Sequence, residues 1–140
     1  RRNVPLEQLA ELKLPGVSFF SLQKGDDAVA QLKALEAASW RGPRIADHTA
    51  ALADFSDTAA FVHNLDLVVS IDTSTAHLAA AMGKEVWLLN RHDTCWRWLL
   101  ERSDSPWYPT LRQFRQPTPG DWTSVIADAR AALQKKLAGD

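Results

Sequence analysis

Leu65-Asp66-Leu67-Val68-Val69-Ser70-Ile71, running straight into Asp72-Thr73-Ser74-Thr75 and then an alanine-rich segment to Met82-Gly83, decides the fold. The first seven residues are almost continuously apolar rather than alternating, the pattern of a strand covered on both faces in a parallel sheet. This run is expected to be the central strand. Residues 74–82 read as a helix of small apolar residues ended by Gly83, whose alanines allow close packing on the sheet. A strand passing directly into such a helix is half of a strand–helix–strand unit.

Working outward, apolar runs at 17–21, 44–47, 85–89 and 111–114 add four more strands, with helix-favouring segments between them. That alternation signals an α/β domain with a mainly parallel sheet. Pro5 suits the first turn of a helix extending to Lys13, ended by Pro15-Gly16. Asp26 or Asp27 is expected to cap a helix with Val29, Leu32 and Leu35 on its apolar stripe. Ser56 or Asp57 is expected to cap a short helix over 58–63, and Asp93 a helix through Trp96, Trp98, Leu99 and Leu100. Ser105-Pro106-Trp107-Tyr108-Pro109 reads as an ordered loop with aromatic anchors. Asp121 then caps a final helix with Val125, Ile126, Ala129, Leu133 and Leu137 on one face. No repeat or linker divides residues 1–140, so one domain is expected.

Composition excludes several classes. The 140 residues are 46% hydrophobic and 24% charged, as in folded globular proteins. Sixteen Lys and Arg against seventeen Asp and Glu leave a net charge of −1, so no global field favours nucleic acid or an anionic membrane. The late arginines, Arg91, Arg97, Arg102, Arg112 and Arg115, are interleaved with acidic residues and read as a solvated mixed face. No run is long enough for a membrane span, and Arg1-Arg2 is not followed by the apolar run of a signal peptide. Cys95 is the single cysteine, which fits a reducing compartment, so a cytoplasmic protein is expected. The first residue is not Met, and an upstream part is expected to have been removed.

In an open parallel sheet, ligands bind beyond the carboxyl ends of the strands, where helix N-termini gather amide donors. Two such places stand out. At the first, the hydroxyls of Thr73, Ser74 and Thr75 and the amides of their turn can donate to phosphate oxygens, with Asp72 before them and His77 one turn on. At the second, Gln23-Lys24-Gly25 follows the strand at 17–21, with Lys24 as a cation and Gly25 allowing close backbone approach. If the two strands are near neighbours, one diphosphate bridges them, and charge on a departing nucleotide is stabilised without a metal. Each feature also has a plain structural reading: helix capping for the hydroxyls and Asp72, a solvated turn for Lys24, a backbone-bonded histidine for His77. His48, His63 and His92 have no zinc-site spacing, and Cys95 has no recognisable base partner. The aromatics Trp96, Trp98, Trp107 and Tyr108 suit stacking on a base or sugar, or simply packing. Neither GxGxxG nor GxxxxGK[ST] occurs.

The stretch from Ser70 to Gly83 resembles the donor-binding motif of heptosyltransferase-type glycosyltransferases, and more closely the glycosyltransferase domain that ends many bacterial tetratricopeptide-repeat (TPR) proteins. Supporting segments follow in the same order: Phe19-Phe20-Ser21-Leu22-Gln23-Lys24-Gly25, Asp54-Phe55-Ser56-Asp57-Thr58-Ala59, Trp96-Arg97-Trp98-Leu99-Leu100 and Ser105-Pro106-Trp107-Tyr108-Pro109. The resemblance implies a GT-B architecture, with this chain as its C-terminal, Rossmann-like three-layer domain. It implies that Asp72, Thr73, Ser74 and Thr75 contact the diphosphate or sugar of a UDP- or ADP-type donor and that Lys24 neutralises the leaving group. It implies further that His77 orients the motif or touches the donor, while Asp54, Phe55 and Ser56 lie near the base and ribose. No cofactor or metal is implied.

Two departures bear on this. Heptosyltransferases usually carry Gly where this chain has Ser74, which leaves the donor open. The family's first strand, its Gly-rich loop and the acceptor domain that supplies the base would precede Arg1, so the isolated chain is expected to be inactive. The sheet would then have a gap between the strands at 17–21 and 65–71. It is expected to be filled by an upstream segment, by direct pairing of the flanking strands, or by strand exchange in an oligomer. The alternative to an enzyme is a non-catalytic scaffold module attached to TPR repeats.

Overall fold

The computed structural model describes residues 3–139, and the Arg1-Arg2 start lies outside them. The fold is α/β with parallel strands, as the alternation of runs implies. A 3-10 helix, Leu6–Leu12, precedes β1 (Phe19–Ser21), α1 (Asp26–Ala37) and β2 (Ile45–Asp47). A 3-10 turn at Thr49–Ala51 leads to α2 (Phe55–His63), β3 (Val68–Ser70), α3 (Ser74–Ala81) and β4 (Val86–Asn90). A further 3-10 turn, Trp96–Trp98, precedes β5 (Leu111–Arg115) and α4 (Trp122–Leu137).

The strands form two ladders. β1 pairs with β2 in parallel, and β3, β4 and β5 pair in parallel in that order. The central strand of the larger ladder is therefore β4, and β3 lies at its edge, contrary to the expectation for residues 65–71. The burial pattern gives the reason. All five residues of β4 are buried, whereas β3 buries Val68 alone and leaves Val69 39% exposed. No hydrogen-bonded ladder joins β1 to β3 among the described residues, so the flanking strands do not pair directly.

Alternation along β4 builds the layers. Trp87 and Leu89 face one side, where Phe114, Leu12 and the α4 residues Trp122, Val125, Ile126, Ala129, Ala132 and Leu133 complete a cluster. Val86 and Leu88 face the other, with Val68, Val62, Leu111, Trp98 and the α3 alanines Ala76, Ala79 and Ala80. The missing bulk of these alanines lets α3 lie against the sheet. β1 reaches the first cluster only through the partly buried Val17 and Phe19, and the following Leu22 packs against the second.

Several helix starts differ from the sequence expectation. α1 begins after Gly25, whose φ of 113° suits a residue without Cβ, and no side chain caps it. Asp26 and Asp27 sit inside its first turn, where they favour the helix dipole instead. α2 begins three residues earlier than expected. Asp54 Oδ1 accepts the Asp57 amide at 3.0 Å while Asp57 Oδ2 accepts the Ala53 amide at 2.9 Å, a reciprocal cap that Ser56 does not share. Asp93 caps no helix, and the Trp96–Trp98 turn follows Cys95. Asp121 caps α4 as expected, accepting the Ser124 amide at 3.0 Å and its hydroxyl at 2.6 Å. Leu137, placed on the buried face of α4 by periodicity, is 47% exposed at the helix end.

Candidate functional site

Where β3 runs out, Asp72 and Thr73 carry the chain into α3. The turn holds itself together: the hydroxyls of Ser70 and Thr73 are 3.1 Å apart, and Ser70 Oγ donates to the Ile71 carbonyl at 2.9 Å. Thr73 occupies the N-cap in extended backbone but offers no side-chain bond to the helix amides. Those first-turn amides have no intrahelical carbonyl either, and the helix dipole adds positive partial charge at the same end.

Asp72, Thr73, Ser74, His77 and Arg97 line an open cleft of about 610 Å³, a size that suits a small molecule. Arg97 enters from the Trp96–Trp98 turn. Its guanidinium donates to Cys95 Sγ at 2.9 Å and lies 5.4 Å from the centre of the Trp96 ring. Its carbonyl accepts from Trp107 Nε1 at 2.9 Å. The cleft therefore has a donor side, of amides, hydroxyls and a guanidinium, and an acceptor at Asp72.

His77 joins the two walls. Its Nε2 lies 3.2 Å from Asp72 Oδ1 and its Nδ1 2.9 Å from the Tyr108 hydroxyl. The ring stacks on fully buried Trp98, with centroids 5.2 Å apart and planes 24° from parallel. The loop carrying Arg97, Trp98 and Tyr108 is tied to the sheet by a buried polar chain. Gln113 on β5 accepts from Asn90 Nδ2 at 3.0 Å and donates from Nε2 to the carbonyls of Trp98, at 3.0 Å, and Asp104, at 2.7 Å. Arg115 donates to the Leu99 carbonyl at 2.6 Å and the Trp98 carbonyl at 3.3 Å. Burial lowers the pKa of its guanidinium, which nonetheless stays charged. These bonds hold Leu99 at a φ of 56°, a conformation that costs a non-glycine residue about 1–3 kcal/mol.

Of the residues singled out in the sequence, Asp72, Thr73, Ser74 and His77 meet in the cleft. Thr75 sits in the first turn of α3 but does not line it. Gln23, Lys24 and Gly25 form the tip after β1, where exposed Lys24 donates its ammonium to the Leu52 carbonyl and lies outside the cleft lining. Asp54, Phe55 and Ser56 open α2. There Asp54 serves as the cap and Phe55 is 61% exposed, and none of the three lines the cleft. The other histidines lie apart: His48 beside Phe20 and Phe61, His63 at the end of α2, and His92 against Gln116. Among the described residues no cluster of three His, Cys, Asp or Glu side chains is placed to hold a metal.

Arg97 and Tyr108 are the site residues that the sequence did not reveal. Arg97 reads as one of a mixed-charge run and Tyr108 as an aromatic that stacks on a base or sugar or simply packs. Only the Trp-Arg-Trp and Trp-Tyr clustering hinted that the segment folds onto something.

No helix among the described residues is long and apolar enough to cross a membrane. No family model matches the chain. It is similar to part of Protein FlbA of Caulobacter vibrioides, with 32% identity over 126 residues. That alignment takes in 88% of this chain but 20% of the relative, so the chain spans about a fifth of the protein it resembles.

Proposed function

We propose that the chain is the donor-binding domain of a metal-independent, heptosyltransferase-like glycosyltransferase of GT-B architecture, of the kind that ends bacterial TPR proteins, acting in the cytoplasm. The observation that carries this reading is the cleft at the start of α3. Uncapped amides, the hydroxyl of Ser74 and the Arg97 guanidinium together offer donors to a diphosphate, beside a Thr73 hydroxyl whose one hydrogen goes to Ser70. An ionised Asp72 only accepts, so it faces sugar hydroxyls rather than phosphate. Stabilising charge on the departing nucleoside diphosphate is the chemistry this half supplies, and the base comes from an acceptor domain outside this chain. In this reading Arg97 is the cation nearest the hydroxyls, and Lys24 joins the donor only by leaving the Leu52 carbonyl.

Calorimetric titration of the full-length parent protein with UDP- and ADP-sugars tests the reading. Binding of one nucleotide class, weakened about fivefold by Thr73→Ala through loss of the hydroxyl that ties the turn to Ser70, is the expected result. Absence of heat with either class at about millimolar ligand sinks it.

The alternative is a scaffold module without catalysis. Exposed Trp96, Leu100 and Trp107, at 71%, 73% and 57%, form an apolar rim beside Arg97 that suits a protein partner. A scaffold keeps its partner in the Thr73→Ala variant and binds no nucleotide sugar.

A further inference from the structure

Tyr108 does not line the cleft, yet it reaches it through one bond, from its hydroxyl to His77 Nδ1. The direction of that bond follows from the far side of the ring. Ionised Asp72 has no hydrogen to give, so the hydrogen between Asp72 and His77 belongs to Nε2. In the neutral imidazole Nδ1 is then bare, and Tyr108 must be the donor. Tyr108 is itself fixed, since Ser105 Oγ accepts the amides of Trp107 at 3.1 Å and Tyr108 at 3.3 Å, and Ser105 is buried. Its ring meets His77 edge-on, with centroids 5.7 Å apart, while Trp98 stacks on His77 and lies 6.4 Å from the Tyr108 ring.

We propose that Tyr108 is a positioning residue for the cleft: Asp72 sets His77 as the Nε2–H tautomer, Tyr108 holds that ring in place by donating to Nδ1, and His77 in turn holds Asp72 Oδ1. This leaves Asp72 Oδ2, which has no other partner among the described residues, to accept from a ligand. The purpose assigned to the relay rests on the donor-binding reading of the cleft. The relay itself does not.

The test labels the imidazole nitrogens of the full chain with ¹⁵N and records their long-range proton correlations near pH 8, where an ordinary imidazole is neutral. The wild-type His77 ring is expected to show a pyrrole-like Nε2 and a pyridine-like Nδ1. Tyr108→Phe keeps the ring packing and removes only the hydroxyl. It is expected to shift the pyridine-like Nδ1 signal downfield, as for a ring nitrogen that has lost its donor, with Nε2 still protonated, and to weaken UDP- or ADP-sugar binding about fivefold. Asp72→Asn offers Nε2 either an amide oxygen or an amide N–H and so lifts the constraint on the ring, and both nitrogen signals are expected to move toward the average of the two tautomers. Identical nitrogen signals in all three proteins, or a wild-type ring protonated on Nδ1, overturn the relay. Weakened binding in Tyr108→Phe without a shift of the Nδ1 signal shows a merely structural tyrosine and overturns it as well. A relay that responds as expected in a protein that binds no nucleotide sugar removes the donor-binding reading and the purpose given to Tyr108, while leaving its contact to His77 established.

Discussion

Arg97 is exposed, makes its one side-chain hydrogen bond among the described residues to a thiol, and contributes to neither hydrophobic cluster. Its replacement should therefore separate binding from folding. Arg97→Ala is expected to weaken nucleotide-sugar binding about tenfold or more, the loss of a charge-assisted bond, while changing stability by less than about 0.5 kcal/mol. Parallel calorimetry and urea unfolding check both numbers. Unaltered affinity would leave the hydroxyls and amides to hold the anion alone. The contrast with Asp72 and Thr73 shows what a sequence discloses about a site. Those two sit at a strand end followed by a helix start, a local pattern that is readable in one dimension. Arg97 and Tyr108 meet the motif only because the loop folds back across it, bringing Tyr108 to a residue 31 positions away, and no spacing rule encodes that.

Elements were legible where side-chain patterning is strong. All five strands fall within one or two residues of the apolar runs, apart from the longer run that shrank to β3 (Val68–Ser70), and α4 matches its cap and, save for exposed Leu137, its stripe. Helix starts were less legible, because Asp, Ser and Thr crowd together and any of them can cap. At α2 the competition among Asp54, Ser56 and Asp57 was settled by backbone geometry: Asp54 has the extended dihedrals of an N-cap, with φ −142° and ψ −176°. Asp54→Ala is expected to destabilise the chain by about 1 kcal/mol, and Asp54→Asn by much less, since an amide oxygen still accepts the Asp57 amide. Urea denaturation midpoints at constant slope measure this. Equal stability of wild type and the alanine variant would show the cap to be idle. The Trp96–Trp98 segment shortened to a single 3-10 turn because its side chains are claimed by other elements: Trp98 lies beneath His77 and the Trp98 carbonyl is bound by Gln113.

At the scale of the whole molecule, acid should act through hydrogen-bonded carboxylates. The Thr49 hydroxyl lowers the Asp47 pKa, the Arg102 guanidinium that of Asp104, and the Ser124 hydroxyl that of Asp121. A folded-state pKa below the unfolded one means that the unfolded chain takes up protons first as the pH drops. The stabilisation is fully present above the ordinary carboxylate range and is lost as pH falls through the depressed values. Urea unfolding is therefore expected to give a lower stability at about pH 3 than at about pH 6, with the decline setting in below about pH 4. Equal values at the two extremes would show that these bonds persist in the unfolded chain or contribute nothing.

The division of the strands into two ladders bears on how the molecule opens. Among the described residues the buried apolar side chains that precede residue 60 are Leu12, Leu32, Pro43 and Leu52, and neither Leu32 nor Leu52 belongs to a core cluster. The β1–α1–β2 unit is thus attached through Val17, Phe19 and Leu22 and by the packing of Phe20 and His48 on Phe61 of α2, rather than through backbone hydrogen bonds to β3. It should behave as a separate cooperative unit whose release needs less free energy than global unfolding. Amide deuterium uptake would then be staggered, with β1 and β2 exchanging first and β4 last. The lysine tip belongs to the fast-exchanging unit and the hydroxyl-rich turn to the slow one, so the two could change their separation without any loss of the main core.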